Sequence, residues 1–498
     1  MKRAVLTLVA GTLLSVNTVA DAMWRMPERI PVDRLVTNLT ARTKEIPQDA
    51  AAWYSLGRAH SYAYTLKTAE LGVFNGEPAP RWMQGAGAQP DAPDVGKAAK
   101  PPTDAELLKH LELGVQALSK AMELDPARAE FCLTLAALLD AGTKDAAKVA
   151  VIPGISDISA IPEVNTLDKQ LADLKSDDNL DQLRRALGII ATQWSLEESR
   201  ASVAAALFRL RDSDNKSQSE AARKLLLEDW NEQTTDLYFR AFTLALEKDS
   251  KLETQPLRGV ASLVAYEAAT EYVKVITART PREQDKVRLA TCQAAAKAWD
   301  KVPPSGVVTP IVISLETGKS LADLLAHTGR VKFDLDATGT GQTWSWVKPE
   351  TGLLVWDPQR TGKITSGRQL FGSVSWWMMF DHGYDALAAL DDNRDGQLRS
   401  HELRGIAVWF DRNSNGVSDA GEVTPIDRLG IAALSTRVTS HDGKSPMNAT
   451  GMTMTDGRVL STWDWVTEPL PHRRASYVPI VAASAVALGM FAITRRRP

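Results

Sequence analysis

Residues 391–422 read "DDNRDGQLRSHELRGIAVWFDRNSNGVSDAGE" and hold two twelve-residue stretches, 391–402 and 411–422. In the first, Asp391, Asn393 and Asp395 stand at positions 1, 3 and 5, Gly396 at position 6 and Glu402 at position 12. In the second, Asp411, Asn413 and Asn415 precede Gly416, with Asp419 at position 9 and Glu422 at position 12. Alternate positions turn short oxygen-bearing side chains toward one centre, and the glycine permits a sharp turn. That chemistry suits a hard cation taking about 6–8 oxygens. Two turns rich in Asp, Asn and Gly that bind nothing are the other reading, but the tandem repeat of Gly at 6 and Glu at 12 favours a cation.

The spacing is the EF-hand calcium pattern. It assigns the position-7 ligands to the backbone carbonyls of Gln397 and Val417, and closure of each cage to Glu402 and Glu422. The pair is unusual, because only "LRGIAVWF" (403–410) separates the loops, and Arg394 and Arg399 add positive charge to the first.

The wider context resembles the calcium-binding C-terminal cassette of bacterial haemolysin-type secreted proteins. The matching runs, in order, are "PIVISL" (310–315), "FDLDATGTG" (333–341), "TGLLVWDPQRTGKITSGRQLFG" (351–372), "YDALAALDDNRDG" (384–396) and "AVWFDRNSNGVSDAGE" (407–422). The resemblance covers about a quarter of the chain and implies secretion and calcium-dependent folding, not a toxin. Gln359, Thr361 and Thr365 replace ligands of that pattern, and Gln369 stands where Glu is expected. Thr338 and Thr340 likewise replace acidic residues. Two sites are therefore expected to bind Ca2+, with two further loops kept as turns.

Residues 1–22 read as a secretory signal peptide: Lys2 and Arg3, an apolar stretch over 4–16, and "ADA" at 20–22. Residues 477–494 carry no charge and precede Arg495, Arg496 and Arg497. They read as a single C-terminal transmembrane helix with the C-terminus inside. The expectation is a single-pass protein of the bacterial cell envelope, with its large domain outside the cytoplasm and the membrane as one partner. The tail also resembles sorting signals that are later removed, though "EPLPH" (468–472) only partly matches their motif.

The chain has 498 residues, a formal net charge of −3 and no basic run outside the tail, so no nucleic-acid partner is indicated. Residues 30–142 resemble tetratricopeptide hairpins, interrupted by a Gly/Pro/Ala-rich insert at 75–102. Trp53, Leu56, Gly57 and Ala69 fit one hairpin; Gly114, Leu118, Ala121 and Pro126 fit a second helix and closing turn. Leu135, Ala136 and Leu139 fit the helix after it. Residues 165–300 repeat apolar positions every three or four places and read as more helix, extending a solenoid. Residues 305–470 read as a mixed α+β calcium-binding domain. The fold expected is thus multidomain, with the helical part binding a protein partner.

Cys132 and Cys292 read as separate buried thiols, with one disulfide as the alternative. Eight of the fourteen tryptophans follow residue 340, and they read as core, with a sugar platform as the alternative. No HExxH, G-x-S-x-G or Walker sequence occurs. The function expected is an extracytoplasmic calcium-binding scaffold; the alternative is a cell-envelope hydrolase or a surface-polymer binding protein.

Overall fold

A computed structural model of the chain describes residues 28–73, 101–144, 216–251, 259–278, 281, 283–299, 307–337 and 341–470. The signal-peptide segment 1–22, the insert up to residue 100, residues 145–215 and the segment 477–494 lie outside the described residues.

The N-terminal part is helical. Strand β1 (Glu28–Pro31) leads into α1 (Val32–Glu45), whose Val32, Leu35 and Leu39 are buried at helical spacing. Helix α2 (Ala50–Thr65) starts where Asp49 accepts a hydrogen bond from the Ala52 amide, 3.0 Å. Strand β2 (Glu70–Val73) then pairs antiparallel with β1. Ala69, read as part of a second helix, instead sits at the edge of this strand, and its carbonyl accepts from the Val32 amide at 2.9 Å. Helix α3 (Asp104–Leu124) opens with a capping box between Thr103 and Glu106. Helix α4 (Ala129–Lys144) follows after a short turn.

Glycine sets how closely α2, α3 and α4 approach. A Cβ on Gly57 would lie 2.6 Å from Leu118 Cγ, and one on Gly114 would lie 2.9 Å from Leu138 Cδ2. Helices α5 (Lys216–Lys251), α6 (Gly259–Thr277) and α7 (Glu283–Trp299) continue the helical part. Tyr238, Phe242, Ala268 and Tyr272 are fully buried among them. Cys132 and Cys292 are buried and unbonded, and burial pushes both thiols up, Cys132 to about 11.

The C-terminal part corrects the expected mixed α+β domain: it is built on a curled antiparallel sheet, with only short helices beside it. Eight strands run along its path: β3 (Ile311–Ile313), β6 (Gly352–Trp356), β7 (Gln397–Arg399), β8 (Ile406–Trp409), β9 (Val423–Pro425), β10 (Ile431–Ser435), β12 (Ser445–Met454) and β13 (Val459–Asp464). Their order is β7-β10-β12-β13-β3-β6-β8-β9, with β11 (Ser440–Asp442) joined to β12. Strands β4 (Leu325–Lys332) and β5 (Thr343–Val347) form a separate pair. The reason lies in the length of the apolar runs. "GLLVW" and "IAVW" are buried at every position. They are too short for buried helices and suit strands covered on both faces.

The expected single-pass membrane helix is also corrected. No helix among the described residues is long and apolar enough to cross a membrane. Segment 477–494, where that helix was expected, lies outside the described residues. The expected membrane partner and single-pass topology therefore have no spanning helix among the described residues behind them.

All eight tryptophans after residue 340 are buried, none more than 4% exposed. Trp346 and Trp409 meet edge-to-face at 5.8 Å, and Trp356 and Trp376 at 5.7 Å. They pack the sheet's interior and offer no sugar-stacking surface.

Candidate metal centre

Three loops on this sheet share one hydrogen-bonded turn. An aspartate at position 1 accepts from the glycine amide at position 6: Asp391 Oδ2 from Gly396 (2.9 Å), Asp411 Oδ2 from Gly416 (2.8 Å) and Asp357 Oδ2 from Gly362 (2.8 Å). The glycines have φ of 84°, 72° and 63°, a region that favours residues without a Cβ. The sequence showed this spacing at 391/396 and 411/416, and Asp357 with Gly362 adds a third instance.

The flanks differ from the sequence expectation. An EF-hand places a helix on each side of its loop. Here loop 411–422 is the tip of a hairpin between β8 and β9, closed by the Phe410 amide donating to the Glu422 carbonyl at 3.0 Å. Loop 391–402 is entered from the short helix Gly383–Ala388 and runs out through β7, paired with β10. The EF-hand expectation is corrected accordingly: the loops are carried by a sheet, because the segment between them is a fully buried strand.

In the first loop, Asn393 Oδ1 accepts from the Asp395 amide (2.8 Å) and Asp395 Oδ1 from the Gln397 amide (2.8 Å). Glu402 is 1% exposed. Its Oε1 accepts from the amides of Asp392 (2.9 Å) and Asn393 (3.2 Å), and its Oε2 from the Arg399 amide (3.0 Å). Asp391 is 5% exposed, and its Oδ1 is buried with no hydrogen-bond partner. Burial raises the Asp391 pKa above the usual carboxylate range; the Glu402 and Asp395 charges push the same way, against the Gly396 hydrogen bond and the nearby Arg394 amide dipole.

The second loop is better satisfied. Asp411 is fully buried and accepts from the amides of Asn415 (3.0 Å) and Gly416 and from Trp346 Nε1 (2.7 Å). Glu422 Oε1 accepts from the Arg412 amide (2.8 Å) and Oε2 from the Asp419 amide (3.0 Å). Asn413 and Asn415 both turn their Nδ2 to Asp419 Oδ2, at 2.8 and 2.9 Å, which holds that carboxyl below its ordinary range. Val417 is half-exposed, and its amide donates to Asn415 Oδ1 at 2.7 Å. Within each loop the carboxylates and amides are tied to the loop's own backbone and to one another, and neither the trio Asp391, Asp395 and Glu402 nor the trio Asp411, Asp419 and Glu422 has its oxygens drawn within 4.8 Å of one another.

The third loop closes differently. Gln369 Oε1 accepts from the Thr365 amide (2.8 Å) while its Nε2 donates to the Lys363 carbonyl (2.8 Å). Loops two and three are tied together where Ser418 Oγ accepts from the Ile364 amide at 2.8 Å.

Sequence reasoning passed over Asp392 and His401. With Glu402 they form the one acidic group among the described residues whose ligand atoms lie within 4.8 Å of one another. His401 Nε2 is 3.6 Å from Asp392 Oδ2. Asp392 is already engaged: Arg34 and Asn38 donate to its carboxylate and hold it below its ordinary range despite partial desolvation. No local signal marks that pairing, since Arg34 lies 358 residues away in sequence.

A family model described as the SPM domain matches residues 312–467, which spans the sheet and all three loops. The chain is also similar to the iron-regulated protein FrpA of Neisseria meningitidis serogroup C, 29% identical over 220 residues. The match covers 41% of this chain and about a fifth (20%) of that relative's length.

Proposed function

We propose that the C-terminal sheet is a calcium-binding module of a secreted or surface-exposed bacterial protein, with one ion in loop 391–402 and one in loop 411–422. The observation that carries this reading is Asp391 Oδ1. It is a buried carboxylate oxygen without a donor, beside the carboxylates of Asp395 and Glu402. A buried charge in that position calls for a counter-charge. The oxygen-only donor set, with Asn393 and the Gln397 carbonyl, suits calcium over softer metals. The signal-like pattern over residues 1–22 and the resemblance to haemolysin-type secreted proteins support export. Affinity on the order of 10⁻⁴ M is expected, the range of extracellular modules.

Thermal melting of the full chain in calcium and in chelator tests this. Calcium at a hundredfold excess over Kd should add about 2.7 kcal/mol per site. Asp391→Asn should act with opposite sign in the two conditions. In chelator it removes an uncompensated buried charge and stabilises by about 1–3 kcal/mol. In calcium it removes a ligand and destabilises. Identical melting of the unsubstituted chain in calcium and chelator refutes the reading.

A further inference from the structure

We infer that the first loop is also a latch: calcium bound there and docking of the helical part on the sheet strengthen each other. The inference rests on the calcium reading above and adds regulation to it.

The contacts converge on one segment. Asp392, position 2 of the loop, turns its carboxylate to α1, where Arg34 grips it with a fork: Nε to Oδ1 at 2.9 Å and Nη2 to Oδ2 at 3.0 Å. Asn38, 6% exposed, donates to the same carboxylate at 3.0 Å. The same two side chains also reach the backbone just before the loop. Arg34 donates to the Leu390 carbonyl and Asn38 to the Ala389 carbonyl, each at 2.9 Å.

Upstream, the pattern of helix cation to sheet-domain acceptor continues. Arg42 pairs with Asp385 at 2.7 Å, and Arg128 with Asp381 at 2.7 Å. Buried Arg58 and Tyr62 both donate to the Trp377 carbonyl, at 2.8 and 2.7 Å. The helical part therefore holds residues 377–392, the stretch that delivers the chain into the first loop. Charge complementarity is one-sided, with arginines on the helices and aspartates on the segment.

The loop and the latch share a peptide. The Asp392 amide donates to Glu402 Oε1, while the Asp392 carboxylate is held by Arg34. Without a cation, repulsion among Asp391, Asp395 and Glu402 favours opening of the cage. When Glu402 swings away, the Asp392 amide loses its acceptor and the carboxylate loses its set position in the Arg34 fork. A cation that holds Glu402 and Asp391 fixes both. Binding and docking are then linked, and each changes the other by the same factor. The second loop has a different setting: Asp411 is held by Trp346 and Ser418 by Ile364, all within the sheet domain. The coupling is therefore specific to the first loop.

Calorimetry of the full chain tests this with calcium as titrant. Arg34→Ala combined with Asn38→Ala removes the latch without touching a proposed ligand. One of two sites should weaken by at least about fivefold, the lower end of ordinary coupling, and the other should stay unchanged. Arg34→Lys, which keeps the charge and loses the fork, should fall between. In the unsubstituted chain, calcium should slow hydrogen exchange of the amides of residues 32–45. Should the double variant not fold, that exchange measurement decides alone. If calcium binds both sites unchanged in the double variant, or leaves exchange at 32–45 unaltered, the latch is wrong while the calcium reading stands. If the unsubstituted chain takes up no calcium, both fall.

Discussion

Loop 357–369 and loop 391–402 start from the same hydrogen bond, aspartate to the glycine five residues on, and end on different atoms. In the former, Gln369 closes the turn with one acceptor and one donor: Oε1 takes the Thr365 amide and Nε2 gives to the Lys363 carbonyl. The interior is completed by the protein itself. In the latter, Glu402 brings two acceptors and no donor, and Asp391 Oδ1 has no donor either. Loop 357–369 is one residue longer, its Asp357 Oδ1 accepts from the Thr361 amide at 2.7 Å, and its closing group is neutral, which together remove the charge demand of the cavity. The comparison teaches that this turn is a neutral scaffold. Whether it calls for a cation depends on the sign of the closing group.

The largest expected effect tests that statement directly. Glu402→Gln and Glu422→Gln each convert a closing carboxylate into the group found at 369. Calorimetry should show the stoichiometry fall from two calcium ions to one in either variant, with loss of about 2.7 kcal/mol of calcium-dependent stability at a hundredfold excess over Kd. Each glutamine should reach the carbonyl at position 7, as Gln369 reaches Lys363. Either variant still binding two ions would break the comparison.

A smaller effect is expected at the third loop itself. Gln369 is fully buried, so Gln369→Ala leaves the Thr365 amide and the Lys363 carbonyl without this partner. The cost should be about 1–3 kcal/mol, read by denaturant melts, and equal in calcium and chelator. Calcium stoichiometry should not change. A cost that vanishes in calcium would mean that the third loop also holds an ion.

How much of this was written in the sequence depends on the range of the interaction. The turns were legible, because Asp357, Asp391 and Asp411 reach their glycines within five residues. The sheet was misread as a mixed domain. Strands such as Ile406–Trp409 are three to five residues long and buried throughout, so they lack the alternation that marks a half-buried strand. The same brevity removed the helices that the EF-hand pattern implies. The helix-to-sheet contacts left no trace at all. Arg34 and Asp392 are ordinary surface-type residues in their own neighbourhoods, and only the fold pairs them.

The smallest effect concerns the two loops proposed to bind calcium. The first carries Arg394 and Arg399, each about half-exposed, where the second has Ser414 and Asp419 at the same positions. Arg399 donates to the Gln397 side chain and stands 4.0 Å from Asp395, and Arg394 stands 4.0 Å from Glu45, both as exposed pairs that cost little to break. A unit positive charge within a Debye length of a divalent ion, as Arg399 is with its Nη1 4.0 Å from Asp395 Oδ2, opposes its binding by at least a few tenths of a kcal/mol in water. Changing both arginines to glutamine should therefore tighten the first site about two- to fourfold at low ionic strength. The gain should shrink toward nothing in molar salt, because only screened, solvent-exposed charge has been removed. Calorimetry at two salt concentrations reads both outcomes. A gain that persists in high salt would place the arginine charge inside the cage, and the two loops would then differ in their ligand sets and not only in the charge around them.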